Sequence, residues 1–395
     1  MTAAADNREL VLLVHQSSDM YGSDKVLFML ARGLLTQSRF HPVVVLPMAG
    51  PLFDALTESG VEVHVGEVAK VSRAIFTLTG AVHLVRSLRR SIRVLDRIVA
   101  GRSVAVVHSN TLAVLAGAGW SVARRKRHLW HVHEILVSPK LVAKSFPRLV
   151  SWASHRVMSN SKATEKWLLS EQPQLGPRSV VVCNGLPEVL RPKALAVLRF
   201  RQCVGASDKD VVVTLVGRIN RMKGHQVLLD AAAALKVRAD LPKIVFVIVG
   251  GPAPGLEKLP DQLKVRATEA GLSDRVHFLP FEDDVWPVWF GSDIAVVPSI
   301  EPESFGMVAI EAMAAGVPVV ASGHGGILDI VCPERTGLLV PPGDALSLAD
   351  ALARLAGDSG LRKEMGRAGA ERQRQSFSVE SQISRTIGVY EEMVQ

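Results

Sequence analysis

The chain has 395 residues, a formal net charge of +8, 48% hydrophobic residues and 21% charged ones. This composition excludes a disordered or fibrous chain and supplies apolar material for two domains of ordinary size. The charge is lopsided: residues 1–190 carry 23 Lys and Arg against 13 Asp and Glu, a net of +10, and the rest of the chain stands at −2. A basic excess confined to the first half points to an anionic partner there, such as a membrane surface, a lipid phosphate or a nucleic acid. Aromatics at 5% and the lack of any recognised nucleic-acid module argue against the last of these. Cys183, Cys203 and Cys332 are too scattered for a zinc site and too few for a disulfide framework, so a reducing cytoplasm is the expected compartment. Leu10–Val14 is too short for a signal-peptide core, and no run of 18 apolar residues occurs, so no membrane span is expected.

In chain order, residues 10–15, 42–46, 61–65, 104–108, 128–133, 155–159 and 179–183 read as short apolar strands. Helical patterns or loops separate them, the alternation of an open parallel sheet with helices on both faces. After the first strand come Met20-Tyr21-Gly22-Ser23-Asp24-Lys25 and a helix from Val26. A glycine between a first strand and its helix lets backbone approach a ligand, although turns also use glycine for their own sake. The Gly-x-Gly-x-x-Gly dinucleotide pattern is missing, which counts against a dehydrogenase.

Residues 81–99 set Val82, Val85, Leu88, Ile92, Leu95 and Val99 on one helical stripe and Arg86, Arg89, Arg90, Arg93 and Arg97 on the other side. Such a helix either packs on a core with a solvated basic face or lies on an anionic membrane surface; residues 140–156 repeat the character less regularly. Trp130-His131-Val132-His133-Glu134 ends a strand, and a His there sits at the ligand edge of an open sheet; His108-Ser109-Asn110 is a further edge candidate. His131 and His133 point the same way along the strand, which leaves both open as the residue facing a ligand. Residues 186–210, with Pro187 and Pro192 and no persistent period, read as a linker.

The second half predicts strands at 211–216, 244–249, 276–279, 294–297, 317–321 and 338–340, with helices at 224–238, 258–271 and 285–291 between them. Arg218 and Lys223, in the loop after strand 211–216, can set a planar fork and a mobile point charge on one diphosphate. Glu303-Ser304-Phe305-Gly306-Met307-Val308 leads into an Ala/Met/Glu helix that carries Glu311 and stops at Gly316. The first amides of that helix, near Phe305 to Val308, offer a phosphate site. Two carboxylates beside an anion site suit a ligand with hydroxyls at both ends and phosphates between, which describes a nucleotide-sugar. Asp208-Lys209-Asp210 fits a metal-diphosphate motif, but it lies before a strand beside a lysine and reads as a capped turn. No His-x-x-x-His or Cys-x-x-Cys pair supports a metal site, so no metal and no cofactor is expected.

Glu303-x7-Glu311, with Ser-Phe-Gly after the first acid and Gly316-Val317-Pro318-Val319-Val320 after the helix, resembles the signature of retaining glycosyltransferases of family 4. Gly217-Arg218-Ile219 … Lys223-Gly224, Gly250-Gly251, Gly323-His324-Gly325-Gly326, Thr336-Gly337 and Ser159-Asn160-Ser161 match further loops of that family. Pro280 and Asp329 depart from its commonest residues. The resemblance covers nearly the whole chain, strongest over 211–344 and weakest over 50–105. It implies a GT-B fold: two Rossmann-like doubly wound domains facing a central cleft, here an acceptor-side domain at 1–190 and a nucleotide-sugar domain at 191–376. A last helix, 377–395, would pack back on the first domain.

The resemblance also implies roles. His133 would contact the donor sugar near its anomeric centre, Glu303 would hold sugar hydroxyls and Glu311 the ribose. Arg218 and Lys223 would neutralise the departing phosphate. Gly22, Gly251, Ser304, Phe305, Gly306, Met307 and Val308 would complete the donor site. The expected activity is metal-independent, retaining sugar transfer from a nucleoside-diphosphate sugar to a saccharide acceptor. A polyprenyl-phosphate-linked acceptor at the inner face of the cytoplasmic membrane, in cell-surface polysaccharide or glycolipid assembly, follows from the basic first half. A glycosyltransferase acting on a small molecule in solution, a same-fold nucleotide-sugar epimerase and a binding protein without turnover are the alternatives.

Overall fold

The computed structural model describes residues 8–20, 22–71 and 78–395, so Tyr21 of the first predicted loop lies outside the described residues. The chain divides into two compact units, Met1–Gly185 with Val379–Gln395, and Leu186–Ser378.

The first unit contains β1 (Glu9–Val14), β2 (Phe40–Leu46), β3 (Glu62–Val65), β4 (Val104–Asn110), β5 (His128–Val132), β6 (Arg156–Ser159) and β7 (Ser179–Val181). Among the described residues they form one sheet in the order β3-β2-β1-β4-β5-β6-β7, with every pairing parallel. The twofold alternation of a strand divides β1 between two cores. Val11 and Leu13 pack with Leu27, Leu30 and Leu34 of the helix Gly22–Gln37, and with Val389, Tyr390 and Met393 of the last helix, Val379–Val394. Leu10, Leu12 and Val14 pack on the other face with Leu95, Val99 and Trp120. A fully buried Val or Leu contributes about 1.5–3 kcal/mol, so strands covered on both faces read as unbroken apolar runs.

The basic helix spans Leu78–Val99. Leu95 and Val99 are in the core and Leu88 and Ile92 pack against it, whereas Val82 and Val85, nearer the amino end, are 51% and 50% exposed. Arg86, Arg89, Arg90, Arg93 and Arg97 are exposed. The last helix is tied to the sheet by the Tyr390 hydroxyl, 2.6 Å from His108 Nδ1, and by the Tyr390 ring, edge-on to Phe40.

The second unit contains β8 (Val211–Val216), β9 (Ile244–Val249), β10 (Val276–Leu279), β11 (Ile294–Val297), β12 (Val319–Ser322) and β13 (Gly337–Val340). Their order is β10-β9-β8-β11-β12-β13, again all parallel. Helices His225–Lys236, Leu259–Glu269 and Trp286–Phe290 fall within two residues of the expected spans. The segment 186–210 differs from the expected linker: Ala194–Cys203 is a helix of the second unit. Phe200 and Val204 bury against Val212, Val245 and Val288, while Leu195 and Leu198 stay exposed. Its two apolar anchors, four residues apart, are too few to make a periodic signal, and Arg201 adds an ion pair with Asp293 at 3.0 Å. Asp208-Lys209-Asp210 is a turn in which Asp210 accepts the Ser207 amide at 2.8 Å.

Each sheet reverses its winding once, between β1 and β4 in the first unit and between β8 and β11 in the second. Crevices at the carboxyl ends of such strand pairs are where open α/β sheets bind ligands.

Candidate functional site

In the second unit, the loops after β8 and β11 meet at the switch point. Asn220 Oδ1 accepts the amides of Met222 and Lys223, both at 3.0 Å, and so curls the first loop. Ile300 N–H donates to the Met222 carbonyl at 2.8 Å and joins this loop to the second. Gly224, at φ +70°, passes so close to Pro298 that a Cβ would lie 1.8 Å from its carbonyl oxygen. Only glycine permits that approach.

The outcome is a contact between two predicted residues 80 positions apart. Lys223 Nζ donates to Glu303 Oε1 at 2.8 Å, and Ser299 Oγ donates to the same oxygen at 2.5 Å. Among the described residues no hydrogen bond uses Glu303 Oε2, which leaves it to accept a ligand hydroxyl, and the ammonium keeps two further donors. The loop after β12 closes on the same segment. Gly326 N–H donates to the Glu303 carbonyl at 2.7 Å, and at Gly325, φ +64°, a Cβ would strike Glu303 backbone. His324 Nε2 donates to the Ser299 carbonyl at 2.9 Å and steadies the serine that holds Glu303.

The other predicted residues of this unit are distributed as follows. Arg218 is exposed in the β8 loop. Gly306, the residue before the helix Met307–Ala314, has φ +119°, so the helix begins at Met307, and Met307 and Val308 supply its first amides. The Phe305 ring is buried against Phe377, which leaves only its backbone for a ligand, and Ser304 is partly exposed beside it. Glu311, one helical turn on, accepts from Trp289 Nε1 at 3.4 Å. Gly251 follows β9 with open space at its Cβ position, and its carbonyl accepts the Ile219 amide at 2.8 Å. Ser299, Asn220 and Trp289 carry no motif of their own; only the loop that each ends on could have marked them.

In the first unit, Gly22 opens the helix after β1, exposed and, its own chain neighbours and helix backbone aside, with none of the described residues within 4 Å of a Cβ position. His133 lies just beyond β5 and is 7% exposed. Its Nε2 is 2.9 Å from Asn110 Oδ1 at the end of β4. Burial pushes its pKa down to about 3, so the ring is neutral. His131 lies beneath it, ring centroids 3.8 Å apart, fully buried and with neither ring nitrogen hydrogen-bonded. Burial likewise holds His131 and His108 well below the ordinary imidazole range. Of the two strand-end histidines, His133 is therefore the more exposed. Glu134 turns inward and accepts the amides of Leu112 and His133 at 3.0 and 3.2 Å. His15 and Asp24, both buried and 2.6 Å apart, join the same edge. A polar residue closing the apolar run of β1 was the signal for His15.

Among the described residues, no three His, Cys, Asp or Glu side chains cluster as metal ligands, and no helix is long and apolar enough to cross a membrane.

Two parallel doubly wound units, each with polar side chains at its switch point, are the components of a GT-B fold. Residues 198–372 match the family profile "Glycosyl transferases group 1", so the second unit carries a domain of that group. The chain is 36% identical over 250 residues to a D-inositol 3-phosphate glycosyltransferase of Salinispora tropica, 60% of this chain and 51% of that protein. It is 40% identical over 211 residues to the protein of the same name from Saccharomonospora viridis, 52% and 48% of the two chains. The aligned part thus spans about half the length of these curated relatives. A crystal structure of Anabaena HepE in complex with UDP and glucose superposes with a TM-score of 0.82 at 23% identity, over 98% of this chain and 100% of that one.

Proposed function

We propose that this chain is a retaining, metal-independent glycosyltransferase that moves a sugar from a nucleoside-diphosphate donor to a small phosphorylated polyol or sugar. The observation that carries the donor half is the Lys223–Glu303 pair at the switch point of a group 1 domain. A carboxylate that accepts from hydroxyls and a cation that donates to phosphate oxygens stand side by side there, as a nucleotide-sugar requires. Departure of the nucleoside diphosphate develops negative charge, which Lys223, Arg218 and the amides of Met307 and Val308 would stabilise. Glu311 would hold the ribose hydroxyls and His133 a hydroxyl of the transferred sugar. A phosphate oxygen of the donor would accept the acceptor's proton on the face the leaving group departs from, which retains configuration.

The acceptor follows from two observations. The curated relatives are D-inositol 3-phosphate glycosyltransferases, and the first half of this chain carries a net of +10. The first favours a small anionic acceptor over a polysaccharide or lipid-linked one, and the second suits an anionic acceptor of either kind. The test is donor turnover across UDP-, GDP- and ADP-sugars, with inositol phosphates, inositol and a polyprenyl-phosphate-linked saccharide as acceptors and with or without chelator. Transfer to a phosphorylated polyol, retained under chelator, is expected; transfer only to lipid-linked saccharide would overturn the acceptor assignment.

A peripheral membrane position is the second reading, favoured by one observation: Val82 and Val85 lie half-exposed beside Arg86, Arg89 and Arg90. Each basic residue near an anionic leaflet contributes roughly 1 kcal/mol. Flotation with anionic vesicles at low salt, compared with Arg89→Glu/Arg93→Glu, tests it; wild type left in the soluble fraction would end it.

A further inference from the structure

Four polar side chains at the carboxyl edge of the first sheet form one continuous hydrogen-bonded chain. Asp24 lies in the first turn of the helix Gly22–Gln37, His15 follows β1, Asn110 ends β4 and His133 follows β5. His15 Nε2 is 2.6 Å from Asp24 Oδ1, Asn110 Nδ2 is 3.0 Å from His15 Nδ1, and His133 Nε2 is 2.9 Å from Asn110 Oδ1. All four residues are buried.

Donor and acceptor chemistry gives this chain a direction. The Ser23 carbonyl oxygen lies 3.4 Å from Asn110 Nδ2, so the amide must present its nitrogen on that side, because an oxygen there would face another oxygen. Asn110 Nδ2 therefore donates to His15 Nδ1, and the remaining proton of a neutral His15 sits on Nε2, aimed at Asp24. The Asn110 carbonyl oxygen, 3.4 Å from the same Nδ1, is the weaker competitor for a proton there. Asn110 Oδ1 can only accept, so His133 Nε2 must carry the proton between them. Every donor in the chain thus points toward Asp24. Burial keeps His133 neutral, so its Nδ1 is a bare lone pair. That atom has no hydrogen-bond partner among the described residues, and His133 keeps 7% of its surface exposed.

We infer that Asp24, His15 and Asn110 are positioning residues that lock His133 in its Nε2–H form and make its Nδ1 an acceptor specific for a ligand hydroxyl. A phosphate oxygen or a carboxylate brings no proton and is turned away from this atom, whereas a sugar hydroxyl supplies the missing donor. The inference deepens the glycosyltransferase reading and rests on it for the identity of that hydroxyl.

The direct test is NMR of ¹⁵N-histidine-labelled protein at neutral pH, which reports which ring nitrogen carries the proton. His133 and His15 should both read as Nε2–H. Asn110→Asp keeps an acceptor for His133 and should preserve its form, while Asn110→Leu should release it into a mixture. On the donor that proves active, Asn110→Leu should lower kcat about 10–100-fold, by analogy with the partners that orient metal-bound histidines. One deoxy donor, lacking the hydroxyl that meets His133, should be slow with wild type and no slower with Asn110→Leu. His133 protonated on Nδ1, or on both nitrogens, would overturn the inference, as would a loss that is the same for every deoxy donor. Failure of the glycosyltransferase reading looks different: no donor turns over, while the ring protonation stays as stated.

Discussion

Replacing Lys223 by alanine separates a catalytic role for the Lys223–Glu303 pair from a structural one. The two side chains are 26% and 13% exposed, so the pair sits at a wet crevice rather than in a sealed core. A pair so placed contributes about 1 kcal/mol or less to stability, because solvent screens it and ordering a lysine costs entropy. Ser299 still donates to Glu303 in the variant, so the carboxylate is not stranded. The melting temperature should therefore fall by about 2–4 °C at most. Loss of a positioned cation at a departing diphosphate costs far more, about 2.7–4 kcal/mol of barrier, which is a 10²–10³-fold drop in kcat/KM. Steady-state donor turnover beside a thermal scan measures both quantities. A variant that melts much earlier but keeps near-wild-type kcat/KM would refute the reasoning, since the pair would then be a brace.

Arg218→Ala should lower kcat/KM by a similar factor with no change in melting, measured in the same turnover assay. Activity should survive excess chelator; loss reversed by Mg²⁺ or Mn²⁺ would reveal a metal site. Tyr390→Phe removes the hydroxyl from His108 Nδ1, whose Nε2 is already unpartnered, and should cost the first unit about 1–3 kcal/mol by chemical denaturation. Acid should weaken the first unit because His128 and His133 have folded pKa values pushed down to about 4 and about 3 by burial. The unfolded chain binds the extra protons below pH 6.5, so stability is present above that and falls toward pH 4, by about 1.4 kcal/mol per pH unit for each proton. His131→Leu, which removes a buried ring whose nitrogens have no hydrogen-bond partner, should leave stability at pH 7 unchanged or higher and widen its advantage at pH 5.

The strands were legible because sheets covered on both faces demand apolar runs, as in Val211-Val212-Val213 and Ile244-Val245-Phe246. The helix Ala194–Cys203 was not, since its apolar anchors are Phe200 and Val204, behind two prolines, and Arg201 holds it through contacts with Gly291 and Asp293 that no local pattern states. At the site, Glu303, Arg218 and Lys223 stood out through their loops and spacing. The contact of Lys223 with Glu303 required knowing that β8 lies beside β11, which no local pattern states. The Asp24–His15–Asn110–His133 chain was hidden for the same reason: its members come from four segments that only the strand order β1-β4-β5 brings together. The choice between His131 and His133 turned on burial, which strand periodicity leaves open for residues on one side of a strand.

The central claim is sugar transfer from a nucleoside-diphosphate donor by the second unit's switch-point residues, with configuration kept. The most direct measurement is ¹H NMR of the new glycosidic linkage formed from an α-configured donor and a phosphorylated polyol. The account predicts an α-linked product, formed by wild type and lost with Lys223→Ala. A β-linked product, or no transfer from any donor in the panel, would contradict it.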